Sequence, residues 1–152
     1  MAEIRTAHLM TLKLAVSGLQ PIGATPSGNR RIGLVAGGTF EGAKLRGIVL
    51  PGGADWIIGR PDGATTLDVR LVLETDDKAT IGMTYRGIRH GPPAVMEKVN
   101  SGQPVDPSEY YFRTAINFET AAPKYDWLNR IIAVGTGNRL PEGPVYDIFE
   151  VL

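Results

Sequence analysis

The chain has 152 residues, 16 Lys and Arg against 16 Asp and Glu, and no cysteine. That length suits one domain with its own core, and zero net charge argues against nucleic acid or an anionic membrane as the main partner, since both recruit a basic surface. Without cysteine there is no disulfide framework, thiolate nucleophile or Cys-ligated zinc, and no apolar run approaches the ~20 residues of a membrane-spanning helix.

The 19 glycines and 11 prolines are spread between apolar runs, which fits turns and strand bends better than disorder. Met1 to Arg5 lack the apolar centre of a signal peptide, so a cytoplasmic location is expected. Residues 8–16 predict a strand with His8, Met10, Leu12, Leu14 and Val16 on one face. Residues 18–31 read as a Gly/Pro-rich connection, and residues 31–40 as a short, Gly-broken strand with a bulge. Residues 44–50 and 54–60 predict strands that stop at Pro51-Gly52-Gly53 and Pro61-Asp62-Gly63. Residues 65–75 and 79–89 predict a hairpin around Asp76-Asp77-Lys78.

Residues 92–100 predict the one short helix: proline opens it, Val95, Met96 and Val99 share a face, and Gly102 lies beyond its end. After a loop over 103–108, residues 109–120 predict a long strand and residues 123–128 a helical turn. Residues 129–135 and 145–151 predict the last strands. This pattern is all-β, a single antiparallel β-barrel domain over residues 1–152 with about eight strands, or else a tight sandwich.

Charges follow strand parity. Asp68 and Arg70 share one face of their strand, and Tyr111, Arg113, Asn117 and Glu119 share one face of theirs. The opposite parities are Leu67, Val69, Leu71, Leu73 and Tyr110, Phe112, Ile116, Phe118. In a closed barrel the polar parity is expected to line a charged lumen. Outward Leu71, Leu73 and Phe112 would then need cover from the helix or a second subunit.

Arg60, Asp68, Arg70, Arg86, Arg113 and Glu119 all fall in strands. They fit either a satisfied ion-pair network or water-facing charges, or a pocket where arginine holds a carboxylate or enolate oxygen and a carboxylate moves a proton. Tyr85 and Tyr111 are candidate donors to a developing oxyanion, against ordinary packing. Asp55 follows the Pro51-Gly52-Gly53 turn as a general base at a barrel mouth, or as a partner of the turn backbone. Trp56 and Trp127 suit stacking on a flat ligand or rim packing. His8 reads as a core or pocket-edge residue and His90 as a rim residue. The absence of cysteine and of close His/carboxylate spacing argues against a transition-metal site. Residues 35–42 lack the Gly-Lys-Ser/Thr end of a phosphate loop, and there is no Gly-x-Ser-x-Gly elbow.

Eight segments in order carry a resemblance: Gly37-Gly38-Thr39-Phe40-Glu41-Gly42, Pro51-Gly52-Gly53-Ala54-Asp55-Trp56, Leu67-Asp68-Val69-Arg70, Thr75-Asp76-Asp77, Gly87-Ile88-Arg89-His90-Gly91-Pro92-Pro93, Glu109-Tyr110-Tyr111-Phe112-Arg113, Phe118-Glu119-Thr120 and Trp127-Leu128-Asn129. From about His8 to its end the chain resembles the bacterial and fungal family catalogued as domain of unknown function 3237. The resemblance implies a small barrel like those of allene oxide cyclase and the dirigent proteins, commonly oligomeric, with a small organic molecule in the lumen. Where the family usually has glycine after Thr75-Asp76-Asp77, this chain has Lys78.

The combined expectation is a cofactor-free isomerase, cyclase or lyase acting on a small carbonyl-containing or anionic metabolite. Asp55, Asp68 or Glu119 would move a proton, and Arg113 with Arg70 or Tyr111 would polarise an oxygen. Trp56, Arg70, Tyr85, His90 and Trp127 would bind substrate. The alternatives are a non-catalytic binding barrel and a barrel filled by side chains. The expected partners are a small organic molecule and further copies of the chain.

Overall fold

The computed structural model describes residues 2–152. Its strands are β1 (Thr6–Thr25), β2 (Gly28–Glu41), β3 (Arg46–Val49), β4 (Gly53–Gly59), β5 (Thr65–Thr75), β6 (Thr80–His90), β7 (Tyr111–Thr120), β8 (Ala133–Leu140) and β9 (Gly143–Val151). All pairings are antiparallel, and β1 pairs with both β9 and β2, so the sheet closes into a barrel. The strand count is nine rather than eight because one stave is split. β4 pairs with the first half of β2 and β3 with the second half, and both return to β5. Proline lacks the N–H a ladder needs, and Gly52 turns at φ 107°, so the stave breaks at Pro51-Gly52.

The parity expectation inverts. Leu67, Val69, Leu71 and Leu73 of β5 and Phe112, Ile116 and Phe118 of β7 are buried inside the barrel, whereas Asp68, Arg70, Tyr111, Arg113, Asn117 and Glu119 are exposed on its outer face. The physical reason is a difference in cost. Facing those apolar side chains outward would forfeit about 1.5–3 kcal/mol each, and unpaired charges inside would cost several kcal/mol each. The argument for a covering subunit over Leu71, Leu73 and Phe112 falls with it. The core runs from Met10, Leu12 and Phe40 through Leu73, Ile81 and Met83 to Ile116 and Ile148.

Residues 18–31 are not a loose connection. They form the arm of a long β1–β2 hairpin that turns at Pro26-Ser27, with register shifts between Ala15 and Gly18 and between Pro21 and Gly23. Pro21 is tolerated because β9 pairs with β1 only as far as Lys13, leaving this stretch an edge. α1 (Pro93–Asn100) follows β6 as expected and buries Met96 and Val99 at one end of the barrel.

A 3₁₀ segment, Pro123–Arg130, buries Tyr125 and Leu128 at the other end. It runs on to Arg130, so β8 starts later than the sequence suggested. Asp77 pins this segment to the β5–β6 turn: Tyr125 Oη and Lys124 Nζ each donate to its carboxylate at 2.8 Å. The Lys124, Thr75 and Tyr125 donors hold the Asp77 carboxyl below its usual range. Among the described residues no helix is long and apolar enough to cross a membrane.

Candidate active site at the barrel mouth

Not all of the interior is apolar. Beneath α1 the lumen opens into a cavity of about 320 Å³ lined by Arg31, Asp55, Tyr85, Arg89, Arg139 and Tyr146, with Leu14, Val69, Val99 and Phe112 among its apolar walls. Strand register assembles it. On one row Asp55 of β4 pairs with Val69 of β5, and Val69 with Tyr85 of β6. Two inward rows further along, past Gly87, Arg89 of β6 pairs with Phe112 of β7, and Gly137 of β8 pairs with Tyr146 of β9. Gly137 joins the two halves of that row. A Cβ there would lie 2.7 Å from the Phe112 ring, so only glycine lets this ring reach its place.

Asp55 sits where the β4–β5 ladder is interrupted, between the Asp55–Val69 and Ile58–Thr66 pairs. Its Oδ1 accepts the Asp68 amide at 3.2 Å, replacing a lost ladder bond. Burial pushes the Asp55 carboxyl up to about 7, against the opposing pull of that amide and of Arg89 and Arg31. A carboxyl poised there exchanges a proton near neutral pH.

Tyr85 donates to Tyr146 Oη at 3.2 Å, with the rings edge to face at 5.3 Å. Burial pushes both phenols up, so both stay protonated donors. Arg89 is 5 % exposed, its guanidinium 5.3 Å from the Phe112 ring, and its Nε has no partner. Arg139 is held by its neighbours: its backbone N–H donates to Tyr110 Oη at 2.8 Å, and its guanidinium donates to the Leu140 carbonyl. Among the described residues, none of Arg31, Arg89, Arg139 or Asp55 is in an ion pair, and no His/Asp/Glu cluster suits a metal ion.

Of the residues singled out in the sequence, the lumen therefore brings together Asp55 and Tyr85. Trp56, Asp68, Tyr111 and Arg113 line a groove of about 850 Å³ on the outer wall instead. There Arg30 lies 5.8 Å from the Trp56 ring and Arg113 lies 5.2 Å from the Tyr111 ring. His90 stacks on Tyr111 at 5.1 Å. Arg70 borders a shallow outer depression with Trp56 and Asp68. Glu119 is exposed on the outer face of β7, opposite Gly82. Trp127 belongs to the 3₁₀ segment at the far end, under Lys44 Nζ at 4.8 Å. His8 is exposed against Asp147 at 3.2 Å, not in the core.

Arg31, Arg89, Arg139 and Tyr146 escaped the sequence reading. The signal for Arg89 was its parity with Ile81, Met83 and Tyr85, and for Tyr146 its parity with Ile148. Arg31 and Arg139 carry no such local mark.

A family model described as a protein of unknown function, DUF3237, matches residues 4–151. A UPF0311 protein of Rhodopseudomonas palustris is 37% identical over 149 residues, 98% of this chain and 97% of that protein. The crystal structure of a conserved protein of unknown function from the same organism superposes with a TM-score of 0.96 at 36% identity, covering 100% of both chains. A beta-barrel like protein from Acinetobacter baumannii gives a TM-score of 0.87 at 38% identity, over 100% of this chain and 98% of that one. An enzyme from Penicillium herquei shares the fold, with a TM-score of 0.76 at 20% identity over 100% and 97% of the chains. The chain belongs to the DUF3237 family of proteins of unknown function.

Proposed function

We propose that this barrel is a cofactor-independent proton-transfer enzyme of the isomerase, cyclase or lyase type, acting on a small carbonyl compound in the lumen mouth. The observation that carries the reading is Asp55, poised to ionise near 7, in the same cavity as a protonated tyrosine pair. Asp55 takes a proton from a carbon next to the carbonyl, and the C–H electron pair moves onto the carbonyl oxygen. The Tyr146 hydroxyl, free to donate, stabilises that developing enolate; such a donor is worth most in a dry site. Return of the proton to another carbon is isomerisation, loss of a neighbouring leaving group is a lyase step, and intramolecular attack is cyclisation.

The test is deuterium incorporation, by NMR, into a panel of enolisable aryl ketones and keto acids in D₂O. Exchange by the wild-type protein that is lost in Asp55→Asn supports the reading. Equal exchange by both proteins, or none by either, sinks it. A non-catalytic carrier would use the same cavity and show saturable binding without exchange.

The outward Trp56, Ile88, Tyr111 and Val134 support a homo-oligomer in place of the residues first expected to need cover. A monomer mass in light scattering at every concentration would exclude it.

A further inference from the structure

We propose that the lumen ligand carries a carboxylate and that Arg89 is its anchor. This rests on the reading of the lumen as the binding site, but not on the proton transfer. Four observations converge. Arg89 is almost wholly buried and faces the cavity from the end of β6, yet no carboxylate pairs with it and its Nε lacks any partner. A buried guanidinium without a counter-ion is strongly unfavourable, and an oxyanion bound side-on is what its planar fork satisfies. Arg31 and Arg139 line the same cavity and are equally without an ion pair, so three arginines face a single carboxylate, Asp55. The cavity therefore bears excess positive charge whether or not Asp55 is ionised.

Its other walls define the rest of the ligand. Phe112, Tyr85, Tyr146 and Val69 line the same cavity with aromatic and branched apolar surface, and Phe112 lies directly against the arginine. At about 320 Å³ the cavity lies at the small end of the roughly 300–1,000 Å³ range of ligand pockets. The class is thus a compact aryl or branched carboxylate, with the acid group on Arg89 and the reacting carbon toward Asp55.

The experiment titrates benzoate, and the neutral benzyl alcohol of similar size, into the full-length protein. Calorimetry gives the affinity, and the Arg89 Nε–H resonance locates the binding. The expected result is saturable benzoate binding that shifts that resonance, with benzyl alcohol at least tenfold weaker. Arg89→Met should lose at least tenfold in benzoate affinity, while Arg113→Met, on the outer wall, should not. Arg89→Met replaces an unpaired buried charge with an apolar chain and is expected to fold; should it not, the wild-type resonance and the comparison with the neutral probe still decide.

Equal affinity for the two probes, an unmoved Arg89 resonance, or no benzoate binding at millimolar concentration would overturn the proposal. Asp55→Asn separates the two readings: it should keep benzoate binding while abolishing exchange. Exchange that survives in this variant condemns the proton-transfer role and leaves the anchor standing.

Discussion

Tyr85 donates its hydroxyl proton to Tyr146 across 3.2 Å inside the barrel, so the Tyr146 proton is left without an acceptor among the described residues. The pair is buried in one cavity with Asp55 and Arg89. A donor held ready in this way needs no reorganisation when negative charge develops beside it.

Tyr146→Phe should therefore lower kcat on an identified substrate by roughly 10²–10³-fold, the usual effect of deleting one oxyanion donor. It should also cost about 1–3 kcal/mol of stability, because the Tyr85 hydroxyl loses its acceptor. Tyr85→Phe should cost less activity, since it leaves the Tyr146 donor in place. Steady-state kinetics and urea unfolding check both. Equal losses of activity would remove the distinction between the two hydroxyls.

Asp55 sets a pH dependence with a definite sign. Its carboxyl lies at about 7 in the folded protein against 3.8 for an unperturbed group. Between those values the folded state holds a proton that the unfolded state has released, so this residue subtracts stability as pH rises from 4 to 7. Asp55→Asn should be the more stable protein above pH 7, by at most about 4 kcal/mol, and the gap should close toward pH 4. Over the same range kcat/KM of the wild type should rise as the base ionises. Arg31, Arg89 and Arg139 face the same cavity, and burial holds Tyr85 and Tyr146 protonated over this range. Melting curves at pH 4 and 8 that show the same difference between the two proteins would refute the assignment.

Gly137→Ala should destabilise by about 1–3 kcal/mol, the usual cost of overpacking a filled interior. The added methyl would meet three Phe112 ring carbons at 2.7–2.8 Å. Because Phe112 also forms the floor under Arg89, ligand affinity should fall with stability. Denaturant midpoints give the first effect and benzoate titration the second.

Lys78 has a left-handed backbone, with φ 68°. That conformation costs an ordinary residue about 1–2 kcal/mol and glycine almost nothing. Lys78→Gly should thus stabilise by about 0.5–1 kcal/mol after the extra entropy of the unfolded glycine is counted. The exposed Lys78–Glu74 ion pair that is lost contributes little. A lowered melting temperature would contradict this.

Arg113→Met alters a side chain of the outer groove, away from the lumen lining. Turnover should stay within about twofold of wild type, because Arg113 is not part of the lumen lining. A large loss of activity would move the site from the lumen to the outer wall.

Much of this fold was legible in the residues alone. Period-two alternation marks β5, β6 and β7, Pro51-Gly52 marks the break in one stave, and Pro92-Pro93 marks the start of α1. Alternation is symmetric, however: it divides Leu67, Val69, Leu71 and Leu73 from Asp68 and Arg70 without saying which set faces in. Closure decides that, because most side chains turned into a small ring pack against one another away from water while its outer wall meets it.

Asp55 and Tyr85 could be named from local pattern, a turn and a strand parity. Arg89 and Tyr146 lie 57 residues apart, and only pairing through Phe112 and Gly137 brings them to one cavity. Neighbourhood along the chain determined the strands. Register around the barrel, which no local spacing encodes, determined the site.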